Sequence, residues 1–218
     1  LAELELLSAS LSALEAIGIT DATIRVNHRE LLRSNIQALG VSNDDALAAM
    51  ITIDKLDKIG IDGVSNELGE KFGESVQQAA QAWLAGIDAG QVPDLLKPIW
   101  EGLGNQAKSL RFDPTLVRGM GYYTGSIFEI EHPGSGSSIG GGGRYDGMVG
   151  RWLGTDAPAV GISIGFERAV DLVETNVDNS KSLVLVLDSV NPSVIGNALK
   201  VQQQAIDAKE GCDQQQQC

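Results

Sequence analysis

Disulfides, membrane spans and a broad grip on nucleic acid all lack support in this sequence. Cysteine occurs only at Cys212 and Cys218, both in the last seven residues. The two can pair, but no disulfide framework runs through the body and no zinc-type spacing exists. A reducing cytoplasm is therefore the default setting. No apolar run nears the length that crosses a bilayer, and no secretory signal pattern opens the chain. Basic residues are outnumbered, with 16 Lys and Arg against 29 Asp and Glu and a formal net charge of −13. Phosphate backbones are held by Lys and Arg that displace counterions, so a general basic field is excluded. Any nucleic-acid contact must be local or lie on segments outside this sequence. Aromatics make up only 5% of the residues, which leaves Leu, Ile, Val and Ala to supply most of the packing.

What is present is ample for a core: 218 residues, 43% of them hydrophobic, fit one large domain or one domain plus part of a second. The chain starts at Leu1 inside a helical pattern and ends in a Gln-rich tail, so both ends read as cut. Leu4, Leu7, Leu11 and Leu14 recur at three and four residues, an amphipathic helix closed by Gly18. Thr23-Ile24-Arg25-Val26 alternates like a short strand. Asn27 then stands at the N-cap of a helix over about 28–39, stopped by Gly40. From about residue 42 to 110 the pattern is helical and often broken by glycine and proline, which predicts a helical insertion. Strands and glycine turns follow from Leu116. Ser126–Ile130 alternates, residues 132–138 form a connecting loop, 148–153 is helix-like, 159–165 is a strand, and a helix runs from Phe166 to about Val173. After residue 180 the apolar run Leu183–Leu187 suits a buried strand. Asn191-Pro192 opens a further helix, as an N-cap and a first-turn proline do.

Three stretches carry chemistry. In the strand ending at Phe166, one face is bulky (Val160, Ile162, Ile164, Phe166) and the other is small (Ala159, Gly161, Ser163, Gly165). A stripped face admits either a flat ligand or a closely packed helix. Arg168 follows in the first turn of the next helix, where a guanidinium would deepen an anion site. Gly140-Gly141-Gly142-Gly143 precedes Arg144. It reads either as a place of close backbone approach or as a bulged turn. It is neither a P-loop nor a dinucleotide fingerprint, because the following Lys-Ser/Thr and the βαβ context are missing. Arg118-Gly119-Met120-Gly121-Tyr122-Tyr123 puts an arginine and two phenols at a strand entrance, suited to a charged and planar substrate or to an ordinary edge strand. His28 at a strand–helix junction and His132 in a turn read as structural, since neither has a ligand cluster around it.

Together these residues resemble the histidyl-tRNA synthetase family. The segment 116–125 is similar to its histidine-specific motif, Gly141-Gly142-Gly143-Arg144-Tyr145-Asp146-Gly147 to its second glycine-rich segment, and 158–168 to class II motif 3. Ile24–Arg29 is similar to the strand and helix that precede the family's insertion. The resemblance implies an α+β fold, a class II synthetase-type antiparallel sheet flanked by helices. Residues 1–41 and 111–178 would form the later half of the catalytic domain, 42–110 the insertion, and 179–218 the start of an α/β anticodon-binding domain. It implies ATP-dependent activation of L-histidine and transfer to tRNA(His), in the cytoplasm, with no membrane partner. Arg118 would act on the α-phosphate. Arg168, Gly161, Ser163 and Gly165 would bind ATP. Tyr122, Tyr123, Gly142, Gly143 and Tyr145 would line the histidine pocket. ATP is then a substrate, Mg2+ is expected from the family with unassigned ligands, and no protein metal site is expected.

This sequence departs from the family pattern in three ways. Gly121 stands where many members carry aspartate. Motif 1, which builds the family's homodimer interface, is absent, and so is motif 2 with its own phosphate-gripping arginine. The expectation is that this chain alone is inactive. The rival implied by the same resemblance is the regulatory subunit of ATP phosphoribosyltransferase, a binding protein without ligase activity. Retention of both Arg118 and Arg168 argues for the ligase.

Overall fold

A computed structural model describes residues 1–88, 90–173 and 191–215. The leucine repeat forms α1 (Ala2–Ala16), with Leu7 and Leu14 buried. Strand β1 (Thr23–His28) follows, two residues longer than the alternation predicted. Asn27 therefore lies inside the strand rather than at a helix cap. The cap of α2 (Arg29–Ala38) is His28, whose Nδ1 accepts from the Glu30 N–H at 3.2 Å. Four helices come next: α3 (Ala46–Ile53), α4 (Leu56–Phe72, bent at Gly60), α5 (Glu74–Ala85) and α6 (Lys97–Leu103). A 3-10 turn over Gly104–Ser109 then leads into β2 (Leu110–Phe112). The remaining elements of this unit are β3 (Ser126–Glu131), β4 (Gly140–Arg144), α7 (Asp146–Leu153), β5 (Val160–Ile164) and α8 (Phe166–Val170).

The five strands form one sheet in the order β2-β1-β3-β4-β5. All neighbours are antiparallel except β1 and β2, which run parallel with Ile24 beside Leu110. The sheet is therefore mixed, not purely antiparallel. A parallel pair needs a long crossover, and the helices α2 to α6 supply it. The four glycines are not a bulged turn: they are a central strand, hydrogen-bonded on both sides. A run with no side chains forms a strand here because its neighbours on both edges dictate it, against its own propensity.

Two cores stabilise this unit. One joins Leu7 and Leu14 of α1, Ile24 and Val26 of β1, Phe128 and Ile130 of β3, and Leu96, Ile99 and Leu103, with Val160, Ile162 and Ile164 packed against them. The other joins Leu32 and Ile36 of α2 with residues of α3, α4 and α5. The segment expected as one insertion over 42–110 thus divides in its packing. Its last helix, α6, belongs with α1 and the sheet, because Leu96, Ile99 and Leu103 are apolar at helical spacing on that side.

The chain splits into two compact units, Leu1–Glu174 and Thr175–Cys218. In the second, α9 spans Pro192–Gln215, and the Asn191 side-chain oxygen accepts from the Val194 N–H at 3.0 Å, the cap its sequence predicts. The strand expected over 183–187 lies outside the described residues.

Candidate functional site

One row of the sheet lays out the site. Arg25, Glu129, Gly141 and Ser163 stand side by side across β1, β3, β4 and β5, so their side-chain directions share one face. On that face Glu129 is held between two arginines, with Arg25 Nη1 at 3.1 Å and Arg118 Nε at 2.9 Å. Burial pushes the Glu129 carboxyl above its usual range, although Arg118 and Arg25 pull the other way.

Arg118 comes from the loop after β2, and the loop is pinned from below. Asn27, fully buried in β1, donates from Nδ2 to the carbonyls of Pro114 at 3.2 Å and Leu116 at 3.1 Å. Its Oδ1 accepts from the His28 N–H at 2.8 Å. Asp113 N–H continues the register by donating to the Val26 carbonyl at 3.0 Å. Burial pushes the Asp113 carboxyl up, but Arg25 and the Thr115 hydrogen bonds outweigh it and hold the group below its usual range. From this anchored loop Arg118 lies flat on β4, donating to the Gly140 carbonyl and to Ser138 Oγ, each at 3.2 Å. A Cβ on Gly141 would sit 1.7 Å from Arg118 Nη1, so only glycine lets the guanidinium rest there.

Arg168 of α8 approaches the same spot from the other side, its Nη1 donating to the Ser138 carbonyl. Ser138 thus ties both guanidiniums, one through its hydroxyl and one through its backbone. Arg118, Arg168, Ser163, Gly165, Tyr122 and Tyr123 line a single open cavity of 860 Å³. The bulky face of β5 packs on the core, while Ser163 and Gly165 of the small face line the cavity. Phe166 is a correction to that pattern: it begins α8 and is 81% exposed rather than facing the core. The helix it begins is also shorter than predicted, ending at Val170.

The phenols form the other wall. Tyr122 and Tyr123 meet edge to face, with ring centroids 4.5 Å apart, and Tyr145 stands 6.5 Å from Tyr123. Gly119 permits this with a left-handed φ of 54°, and a Cβ there would lie 2.2 Å from the Tyr123 ring. Burial and the neighbouring Tyr122 push the Tyr123 phenol up to about 12, so it stays a neutral donor at physiological pH. Tyr145, Gly143 and Gly161 sit behind this wall rather than in the cavity. A Cβ on Gly143 would lie 3.0 Å from the Tyr123 ring, and one on Gly161 would lie 2.8 Å from the Tyr145 hydroxyl. Gly142 faces the opposite side from Gly141 and Gly143, where a Cβ would strike the Gly161 carbonyl at 2.0 Å. Its smallness serves strand packing, not ligand contact. His132 accepts the Gly134 N–H at Nδ1 in its turn and takes no part.

Ser138, Glu129 and Asn27 escaped the sequence reading. Glu129 and Asn27 acquire their roles only through the pairing of distant strands, and Ser138 looks like any loop serine until both arginines reach it.

The geometry fits what the chain resembles. A family model described as Histidyl-tRNA synthetase matches residues 1–169. The chain belongs to the histidyl-tRNA synthetase family. It is 47% identical over 227 residues to the histidine–tRNA ligase of Leifsonia xyli subsp. xyli (strain CTCB07), covering 92% of this chain and 52% of that protein. The histidyl-tRNA synthetase of Nostoc sp. PCC 7120 superposes with a TM-score of 0.69 at 27% identity, over 95% of this chain and 56% of that one. An ATP phosphoribosyltransferase regulatory subunit/histidyl-tRNA synthetase from Bacillus halodurans gives a TM-score of 0.66 at 19% identity, over 80% of this chain and 50% of that one, which shows the fold alone. The chain spans about half the length of the curated relatives it matches. Among the described residues no helix is long and apolar enough to cross a membrane.

Proposed function

We propose that this chain contributes one wall of a histidine-activating site in a histidine–tRNA ligase. The convergence of Arg118 and Arg168 on Ser138, over the bare face of β4 and β5, carries the proposal. An ATP laid on that face would meet two guanidiniums that need no reorganisation. A histidine carboxylate oxygen then attacks the α-phosphorus. The new P–O bond gives histidyl-adenylate, and the bond to pyrophosphate breaks. Arg118 stabilises charge developing at the α-phosphate, and Arg168 orients the outer phosphates. Tyr122 and Tyr123 face the amino acid, with Tyr145 behind them. In the second step a terminal ribose hydroxyl of tRNA(His) attacks the histidyl carbonyl, and AMP leaves.

Arg118 keeps Nε on Glu129 and uses Nη1 and Nη2 on Gly140 and Ser138. Of its five N–H donors, two stay available to phosphate oxygens. Mg2+ belongs to this proposal as a companion of ATP. Among the described residues no group of three or more His, Cys, Asp or Glu side chains gathers to hold a metal. Helices α3 to α5 would be the family's insertion, residues 179–218 the start of its anticodon-binding domain, and the cytoplasm the place of work. The presence of two phosphate-facing arginines in one cavity favours the ligase over a regulatory subunit that only binds.

The test replaces the matched segment of the Leifsonia xyli ligase with this chain and measures ATP–pyrophosphate exchange. Exchange that requires histidine, and no other amino acid, supports the proposal. A soluble, folded chimera without exchange refutes it. The isolated chain is expected to give no exchange.

A further inference from the structure

The cavity that would receive a triphosphate has a carboxylate in its lining, Glu129 of β3. An anion there repels phosphate, so its presence asks for a reason. Its two oxygens are divided between two cations. Oε1 accepts from Arg25 Nη1 at 3.1 Å, and Oε2 stands 2.9 Å from Arg118 Nε. The Glu129 side chain is 15% exposed, so water screens these contacts less than it screens a surface pair. Arg25 is the fixed end of the chain of contacts. It lies opposite Glu129 in the β1–β3 register. Its Nε donates to Asp113 Oδ2 at 2.6 Å and its Nη1 reaches Glu131 Oε1 at 2.8 Å. Glu129 therefore cannot swing away from Arg118 without also leaving Arg25.

A guanidinium offers anions a side edge that includes Nε and a tip between Nη1 and Nη2. Glu129 occupies the Nε side of Arg118. The Gly140 carbonyl and Ser138 Oγ each take one N–H from a terminal nitrogen, which leaves one N–H on Nη1 and one on Nη2.

We infer that Glu129 is a positioning residue that acts on the reaction through Arg118, holding the tip of that guanidinium toward the α-phosphate, and that it is not a metal ligand. The inference rests on the ligase reading above. A cation bound to Glu129 would stand against two guanidinium groups already in contact with its oxygens, at a Coulomb cost. Glutamine has the same shape but a single acceptor oxygen, so its NH2 would face one of the two arginines.

The experiment measures histidine-dependent ATP–pyrophosphate exchange in the chimera with Glu129→Gln, Arg118→Ala and both together. Circular dichroism and urea midpoints check that each is folded. Glu129→Gln should lower kcat about 10-fold or more, the loss of a charged contact to Arg118, with the KM for ATP changed by less than about twofold. In the Arg118→Ala background Glu129→Gln should bring no further loss, because the residue through which it acts is gone. The Mg2+ concentration for half-maximal exchange should be the same with and without Glu129→Gln. If Glu129→Gln does not fold, Glu129→Asp, which keeps the charge on a shorter arm, runs through the same cycle with a smaller loss expected. An equal loss in both backgrounds, as a merely structural role would give, overturns the inference. So does undiminished exchange in the single variant, or a raised Mg2+ requirement. Each of these leaves the ligase reading standing. Absence of exchange in the folded, unsubstituted chimera overturns that reading itself, and this inference with it.

Discussion

Asn27 offers the sharpest test of how this site is built. Its side chain is fully buried and makes three hydrogen bonds of 2.8 to 3.2 Å, two of them to the carbonyls that carry the chain toward Arg118. Asn27→Ala leaves two carbonyls and one N–H without their partner, each costing about 1–3 kcal/mol when buried. Water entering the vacated space and the carbonyls' other contacts offset part of this, so a loss of about 2–5 kcal/mol is expected. For a chain of this size that lowers Tm by roughly 5–15 °C. Asn27→Asp is nearly isosteric, yet a carboxylate donates nothing and would face two carbonyl oxygens. It should be worse than alanine at neutral pH. Its deficit should shrink on acidification, because burial raises the introduced carboxyl's pKa and the protonated form donates. Urea unfolding followed by far-UV circular dichroism measures all three proteins. An alanine variant within about 0.5 kcal/mol of wild type, or an aspartate variant no less stable than alanine, would refute the reasoning.

Other expectations follow from the same contacts. Gly141→Ala sets a methyl where Arg118 Nη1 lies; exchange by the chimera should fall about 100-fold, with its far-UV spectrum retained. Asp113 has a depressed folded pKa, so its contribution is fully present above the ordinary aspartate range and is lost as pH falls through the depressed value. Asp113→Asn should therefore be less stable than wild type at about pH 6, and the gap in urea midpoint should close toward about pH 2. Tyr123, pushed up to about 12, should remain protonated at about pH 11; phenolate absorbance there should be the same in wild type and Tyr123→Phe, provided circular dichroism shows both folded.

Much of the fold was legible because local pattern and burial agree. The leucines of α1, the alternation in β3, the split faces of β5 and the Asn-Pro start of α9 each declare their element in consecutive residues. What was hidden depends on residues far apart in sequence. Nothing near Gly140–Gly143 announces a strand, because glycine has no strand preference of its own; β3 and β5 impose it from both edges. Asn27 reads as a helix cap until the loop at 114–116 folds over it and draws its amide inward. Helix α6 reads like the broken helices before it, and only the apolar side it shares with α1 places it on the sheet. In the site, the two arginines and two tyrosines stood out by type and spacing, but Gly142 followed its neighbours by mere adjacency. Strand alternation turns it to the other face. Glu129 becomes part of the site only when register sets it between Arg25 and Gly141.

The central claim is that Arg118 and Arg168 act on one triphosphate across the bare face of β4 and β5. Histidine-dependent ATP–pyrophosphate exchange by the chimera, with Arg118→Ala, Arg168→Ala and the double substitution, tests it most directly. Each single change should lower exchange by about 100-fold or more, and the double change should fall short of the product of the two because both serve the same phosphates. Exchange at the unsubstituted rate in either single variant would contradict the claim.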